Sequence, residues 1–376
     1  MSLEKLRGEI DQVDDALVQL LTKRMNLAAD VAKVKKSGDA VLVPQREAEV
    51  LARVCEQAEP ALQTALKTVY GAVFLASRAQ QHSLLAGTKE TELSKEVAAA
   101  VERGRDAWPK EASVACQGIA GAYSHIAARQ VFENPRVMSM RDFDAVFRAV
   151  EQGLCRYGVL PIENSTYGSV TDVYDLMQKH NCAIVRAARM PIHHCLLSKE
   201  VFLKDVKEIW SHEQAIKQCA AFLEKLGDRV QVHVCENTAV AARMAAQSEK
   251  PGAAAISSAE CAELYGLGVL KDGIHSSPDN ETRFIVIAKQ SEIYDGANKT
   301  SVLVTLQHRT GSLAEMLQLI AGLGINLTKI ENRPVGQEYD VAFYLDMECN
   351  AQEHLQALEE LERHSEKFQF LGSYVE

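Results

Sequence analysis

From Leu6 to Val34, apolar residues recur in alternating steps of four and three: Leu6, Ile10, Val13, Leu17, Leu20, Leu27, Val31 and Val34. This heptad seam predicts a single helix of about 30 residues, roughly 45 Å long at 1.5 Å per residue. A helix of that length cannot bury its stripe against its own short neighbours. It implies a partner, most simply a second copy of the chain. One seam position, residue 24, is Arg. A guanidinium buried without a counter-charge is costly, so Arg24 either pairs with an internal acid or points into a cavity that holds an anion. Lys35 lies close to three turns further on and shares that face, whereas Arg7 sits about 100° round the helix and faces elsewhere on the same chain. Gly38 closes the helix. Pro44 suits the first turn of a second helix reaching about Gln57, with Arg46 and Glu47 just inside it. A third helix is expected from about Pro60 to Leu85, where Ser77 and Gln81 share a face. The plain reading is a helical bundle with a structural ion pair; a core Arg with a Lys on the same face favours an anion site.

These stretches, LRGEIDQVDDALVQLLTKRMNLAADVAKVK, PQREAEVL and SRAQQ, resemble the all-helical chorismate mutase domain over most of residues 3–82. The resemblance implies an active-site set of Arg7, Arg24, Lys35, Arg46, Glu47, Ser77 and Gln81, with Arg7 reaching in from the neighbouring subunit. Chorismate, a dicarboxylate, rearranges to prephenate without a covalent intermediate. The enzyme has to hold a compact conformer and stabilise charge as the ether C–O bond breaks. Arg7, Arg24 and Arg46, with Ser77, would bind substrate; Lys35 and Gln81 would donate to the ether oxygen; Glu47 would accept from the ring hydroxyl. Members of the family often carry Asp three residues before the Arg-Glu pair, where this chain has Val43.

Residues 91–111 read as a polar connector whose middle has helical character. From about 112 to 291 short apolar strands alternate with amphipathic helices, an α/β pattern. Strands are expected at 113–117, 157–161, 183–188, 209–211, 230–235, 253–257 and 283–289. Two glycines in GIAGAYSHIAA (118–128) connect a strand to a helix. YGVLPIENSTYGSV (157–170) ends a strand in a polar cluster, and such clusters face the crevice of open α/β sheets. SHEQA (211–215) and DNETRFIVIAK (279–289) place further polar residues beside strands. The paired His193 and His194 read as structural, and His212 as part of the crevice motif.

PIENS (161–165) followed by Gly168, SHEQA, Asn-Thr-Ala at 237–239 and Thr-Arg-Phe at 282–284 together resemble the prephenate dehydratase family. The resemblance implies a two-lobed α/β domain of periplasmic-binding-protein-like fold over 112–291. It nominates Glu163, Asn164, Gln214 and Thr282 as catalytic, and Ser165, Arg283 and Phe284 as substrate-binding. Loss of CO₂ and the ring hydroxyl from prephenate gives phenylpyruvate. Hydroxide is a poor leaving group, so a donor at that oxygen is required. Thr282 is the family's candidate. Glu163, kept protonated by burial, is a candidate proton source, and Arg283 a candidate carboxylate ligand.

Residues 299–376 read βαββαβ, a ferredoxin-like α+β pattern. Within it RTGSLAEMLQLIAGLGINLTKIENRP (309–334) resembles the ACT domain. The resemblance implies effector binding by Gly311, Ser312 and Leu313 and by Glu331, Asn332, Arg333 and Pro334, with phenylalanine as the inhibiting effector. Two of the family's usual motif forms are replaced here by GSLA and ENRP.

The expected organisation is therefore multidomain: an all-α dimerising domain (1–90), a linker (91–111), the two-lobed α/β domain (112–291) and the regulatory domain (299–376). The chain has 376 residues and 24% charged residues, with a net charge of −10. That balance disfavours nonspecific nucleic-acid binding and leaves anionic substrates to local Arg and Lys. Nine cysteines without CxxC spacing point to no metal site and to a reducing, cytoplasmic setting. Apolar runs are too short to span a bilayer. No cofactor is expected. The expected partners are chorismate, prephenate, phenylalanine and a second copy of the chain. The alternatives are an arogenate dehydratase and a non-catalytic small-molecule sensor.

Overall fold

The structure is a computed structural model that describes residues 2–34, 41, 43–86, 90–277, 279–335 and 340–376. It divides into two compact units, Met1–Lys95 with Thr305–Asn326 and Leu355–Phe368, and Glu96–Val304 with Leu327–His354 and Gln369–Glu376.

The first unit is built on α1 (Leu3–Val34), α2 (Pro44–Gln57) and α3 (Gln63–Ala86). Both α1 and α2 pack on α3. The heptad seam of α1 stays open: Leu17, Leu20, Leu27 and Val31 are each 47–63% exposed, and only Ala32 of the helix is fully buried. Gly38 and Lys35 lie outside the described residues.

α4 (Glu92–Arg103) occupies the stretch expected to be a linker. Val97 and Ala100 are buried, the Ile293 amide donates to the Ala100 carbonyl (2.9 Å), and Arg103 donates to the Ser291 carbonyl (2.7 Å). A Cβ on Gly104 would meet the Ile293 carbonyl oxygen at 2.1 Å, so this approach requires glycine. Trp108 then stacks on Phe132 at 5.1 Å. From residue 96 onward the supposed connector is thus part of a core, because Val97, Ala100 and Val101 recur on one helical face.

The second unit carries two α/β lobes. In chain order the first lobe has β1 (Glu111–Gln117), α5 (Tyr123–Val131), β2 (Asn134–Met140), α6 (Phe143–Glu151), β3 (Tyr157–Asn164), β4 (Gly168–Ser169), α7 (Thr171–Lys179) and β5 (Ala183–Pro191). The second has β6 (Cys195–Ser198), β7 (Glu208–Ser211), α8 (Glu213–Gln218), α9 (Ala220–Leu226), β8 (Gln231–Val234), α10 (Thr238–Gln247), β9 (Ala253–Ser257), α11 (Ala259–Tyr265) and β10 (Gly268–Lys271). The chain then returns to the first lobe as β11 (Glu281–Ala288). The sheet orders are β2-β1-β3-β11-β5, with β4 beside β3, and β10-β6-β9-β7-β8. β11 runs antiparallel between β3 and β5. β3 and β11 read as near-continuous apolar runs because both faces of the sheet are covered. One face packs against α6 and α7, the other against α5. β2 escaped the sequence reading because it is an edge strand, opened by Asn134-Pro135 and only half-buried. β6 escaped because it is buried at all four positions and shows no alternation, and β10 because it opens on Gly268.

The C-terminal segment supplies β12 (Lys299–Thr305), α12 (Ser312–Gly322), β13 (Asn326–Val335), β14 (Asp340–Glu348), α13 (Leu355–Arg363) and β15 (Lys367–Tyr374). Its strands form one sheet in the order β13-β14-β12-β15. Tyr344, Leu371 and Tyr374 join the core cluster of the first lobe.

Candidate functional site

In the helical unit, Arg24 finds no acid among the described residues. Its Nη1 donates to Ser77 Oγ at 2.6 Å, and its guanidinium lies 5.5 Å from the Phe74 ring centroid. Ser77 is buried and its hydroxyl donates to the Val73 carbonyl. Next to it, buried Arg78 pairs with Glu47, Nη1 to Oε1 at 2.5 Å. Three buried polar atoms of this turn lack a hydrogen-bond partner among the described residues: Arg78 Nε, Gln80 Oε1 and Gln81 Oε1. Orphaned buried polar atoms are expensive, and their gathering on one helical turn marks a place that a polar ligand would complete. Arg24, Ser77, Glu47 and Gln81 therefore line neighbouring turns. Arg46 does not join them; it is exposed and pairs with Glu49. Arg7 is exposed on α1. Lys35 lies outside the described residues. Arg78 was missed by the sequence reading. Its signal was available: it is the only Arg or Lys in α3 after Lys67, with no acid three or four residues away, so its partner had to be on another helix.

In the two-lobed unit, the β3–β11 register places Thr282 opposite Asn164, and Arg283 opposite Glu163. Directly opposed residues share a face, so the four nominated residues split into two pairs. Asn164 is buried, and its Nδ2 reaches Thr282 Oγ1 at 2.9 Å, Asn280 Oδ1 at 2.9 Å and the Glu281 carbonyl at 3.0 Å. Its Oδ1 accepts from the amides of Thr166 and Tyr167. The Thr282 hydroxyl accepts from a clamped amide, which leaves its proton to be donated, and the accepted bond strengthens that donation.

The other pair faces the C-terminal sheet, which corrects two expectations, and the burial of Phe284 corrects a third. Glu163 is not an isolated buried acid: Lys329 Nζ lies 2.8 Å from its Oε1. Arg283 is not free to bind substrate: it is 2% exposed, with Asp346 at 2.5 Å, Glu376 at 3.0 Å and the Tyr374 hydroxyl at 2.9 Å. Burial alone would lower the Arg283 guanidinium, but Tyr374, Asp346 and Glu376 hold it above its ordinary value. Phe284 is 2% exposed and packs among Tyr157, Val159 and Val286 as core. Ser165 is exposed, but its hydroxyl already donates to the Asp279 carbonyl and accepts from the Glu281 amide, both at 2.9 Å. It clasps the two strand ends.

On the second lobe, His212 caps α8 by accepting from the Gln214 amide at 3.3 Å. Burial pushes His212 below its ordinary pKa, which suits an acceptor. The Gln214 side chain is half-buried at that helix start. Asn237 spends its side chain as the cap of α10. The glycine loop 118–122 joins the lobes. Tyr265 donates to the Ala120 carbonyl at 2.7 Å, and a Cβ on Gly121, whose φ is +89°, would meet Cys261 Sγ at 2.6 Å. At the crossover His194 Nε2 lies 2.6 Å from Gln218 Oε1. Burial pushes its pKa down to about 4, with His275 and His193 adding to the effect against the Gln218 bond.

The residues matched to effector binding are placed in both units. Gly311, at φ +91°, starts α12 beside Ser312 and Leu313, and Arg309 clamps Glu315 at 2.8 and 2.5 Å. Along β13, burial alternates: Lys329, Glu331 and Arg333 are half-buried, while Asn332 and Pro334 are exposed. Ser169 Oγ donates to Glu331 at 2.5 Å, and Arg333 grips Asp175 at 2.7 and 2.6 Å.

Comparison with known proteins gives these two sites a context. Residues 6–82 match the chorismate mutase type II family model, and residues 114–292 match the prephenate dehydratase model. A bifunctional chorismate mutase/prephenate dehydratase of Aquifex aeolicus is 33% identical across 99% of this chain and 97% of its own length. Arogenate dehydratase/prephenate dehydratase 2 of Arabidopsis thaliana is 37% identical over 69% of this chain and 72% of its own. The crystal structure of a prephenate dehydratase from Arthrobacter aurescens in complex with L-Phe superposes with a TM-score of 0.65 at 30% identity, covering 70% of this chain and 90% of that one. This chain, whose three N-terminal helices bring Arg24, Ser77, Glu47 and Arg78 to neighbouring turns and whose two-lobed segment holds a threonine by an asparagine, thus belongs to the family of bifunctional chorismate mutase/prephenate dehydratases, enzymes of phenylalanine biosynthesis that carry both activities on one chain.

Proposed function

We propose that the mutase reaction runs on the Arg24–Ser77–Gln81 face of the helical unit, and the dehydratase reaction at Thr282. In the first, Arg24 and Ser77 bind a chorismate carboxylate and Gln81 with Lys35 donates to the breaking ether bond. Glu47, steadied by Arg78, accepts from the ring hydroxyl. Arg7 enters from a second copy of the chain, whose own seam covers the open stripe of α1; the exposure of Leu17, Leu20, Leu27 and Val31 supports that dimer.

In the second, Thr282 donates to the departing ring hydroxyl of prephenate while Asn164 holds it in place, and Gln214 approaches from the other lobe. The single observation carrying this reading is the 2.9 Å bond from Asn164 Nδ2 to Thr282 Oγ1. The domain division 1–90, 112–291 and 299–376 is proposed with it, the last as a ferredoxin-like ACT domain. The strand order β13-β14-β12-β15 supports this, as does L-Phe in the Arthrobacter structure. Phenylalanine is then the feedback inhibitor. Nine free thiols, seven of them buried, support a cytoplasmic setting.

A coupled assay from chorismate tests the scheme. Wild-type protein should give phenylpyruvate, less of it when phenylalanine is added. Thr282→Ala should accumulate prephenate at unchanged mutase rate, with dehydratase turnover down at least about 100-fold, on the order of 3 kcal/mol of transition-state stabilisation. Phenylpyruvate formed at the wild-type rate would refute the Thr282 assignment. Arogenate offered in place of prephenate decides the substrate.

A further inference from the structure

The strands that carry Asn164 and Thr282 are held from behind by the C-terminal sheet. Arg283, next to Thr282, sits in a closed ring of buried groups. Its Nη1 meets Asp346 Oδ2 on β14 at 2.5 Å, Asp346 Oδ1 accepts from Ser301 on β12 at 2.6 Å, Ser301 meets the Tyr374 hydroxyl at 2.7 Å, and Tyr374 returns to Arg283 Nη2 at 2.9 Å. Glu163, next to Asn164, is held by Lys329 of β13, which also donates to Ser169 at 2.9 Å. The two residues behind the reacting pair are thus each tied to a charged residue of another sheet.

We infer that Lys329 and Asp346 are positioning residues of the dehydratase reaction, fixing the β3–β11 pair so that the Thr282 hydroxyl meets the leaving oxygen. Three observations converge on this. The β3–β11 pairing changes register between Arg283 and Phe284, skipping Ile162, so the strand ends lack a fully regular ladder to hold them. A buried guanidinium whose carboxylate is removed must move or draw in water, and Arg283 cannot move without Thr282. The same half-buried face of β13 that presents Lys329 presents Glu331 and Arg333, which grip Ser169 and Asp175, while Asn332 and Pro334 lie on its outer face. One strand therefore carries two of the effector-motif residues, Asn332 and Pro334, outward, and the other two, Glu331 and Arg333, inward beside the dehydratase anchor Lys329. Displacing it alters turnover without touching substrate.

This inference rests on the Thr282 reading, and the test separates the two. Lys329 lies at the margin of its unit, 18% exposed by side chain, so replacing it leaves no deeply buried charge. In the full chain, Lys329→Met is expected to lower dehydratase kcat about tenfold with the prephenate KM within about threefold of wild type, and Lys329→Arg to restore most of it. Asp346→Asn should act in the same direction. Placed in a Thr282→Ala background, Lys329→Met should cost nothing more. Mutase activity in the same preparation checks the chain's integrity. An unchanged kcat in Lys329→Met, a loss carried by KM alone, or failure of Lys329→Arg to rescue overturns the positioning role. Full activity in Thr282→Ala overturns the underlying reading instead.

Discussion

Arg78 illustrates what a single side chain adds to a site. Glu47 is useful as an acceptor for a substrate hydroxyl only if one carboxylate oxygen is fixed and the other left free. The 2.5 Å contact from Arg78 Nη1 to Oε1 provides this. Val43, where the family often has an acid, offers only its backbone carbonyl, which accepts from the Arg46 and Glu47 amides, so on the proposed reading the hydroxyl contact falls to Glu47 alone. Arg78→Gln is expected to reduce mutase kcat/KM by about 10- to 100-fold, the range of one charge-assisted hydrogen bond, and to leave dehydratase turnover intact. Chorismate consumption followed by absorbance checks it; a wild-type rate would show that Arg78 is bystander packing. Residue-scale roles were only half legible in the sequence. The motifs named Glu163, Asn164, Thr282 and Arg283, and the structure sets them opposite one another on β3 and β11, yet Glu163 and Asn164 are consecutive and face opposite sides. Strict alternation from Val159 through Pro161 would put Glu163 on the α5 side, with Thr282. The register change at Ile162 turns it to the other side, and nothing in PIENS announces that change.

Elements were more legible than side chains where periodicity was long. The seam of α1 repeats over four heptads, so its helix was readable to within a few residues at each end. The βαββαβ order at the C-terminus was readable because each strand there has seven residues or more. A strand such as β6, four residues long and buried at every position, carries no alternation to register. The seam also makes the sharpest element-scale prediction. Leu17→Glu places a charge in the middle of an apolar stripe that the single chain leaves open. It should convert the protein from dimer to monomer in light scattering and reduce mutase activity about 100-fold, because Arg7 would then come from no neighbour. Dehydratase turnover should persist. An unchanged mass would exclude α1 as the contact between copies.

At the scale of the whole molecule, acid stability should depend on a histidine at the lobe crossover. His194 is held near 4 against an ordinary value of 6.5, so the native protein keeps it neutral where the unfolded chain binds a proton. The stability it contributes is complete above pH 6.5 and is lost as pH falls toward 4, on the order of 3 kcal/mol in all. Asp144, held near 2 by its bonds to Lys179 and His180, acts in a separate window, below the ordinary carboxylate value of 3.8. The thermal midpoint should therefore fall between pH 6.5 and 4, and His194→Gln should flatten that slope. An equally steep slope in the variant would remove His194 as its source.

The two-sidedness of β3 and β11 bears on how such a chain can change over generations. On the reading proposed above, chemistry occupies one side of the ribbon and restraint the other, and the genetic code can alter them independently. On the positioning role inferred for Lys329 and Asp346, a lineage that profits from making less of its end product can loosen 163, 283, 329 or 346 by single substitutions without replacing Asn164 or Thr282. Control and catalysis are in that sense separately evolvable, although a single pair of strands carries both.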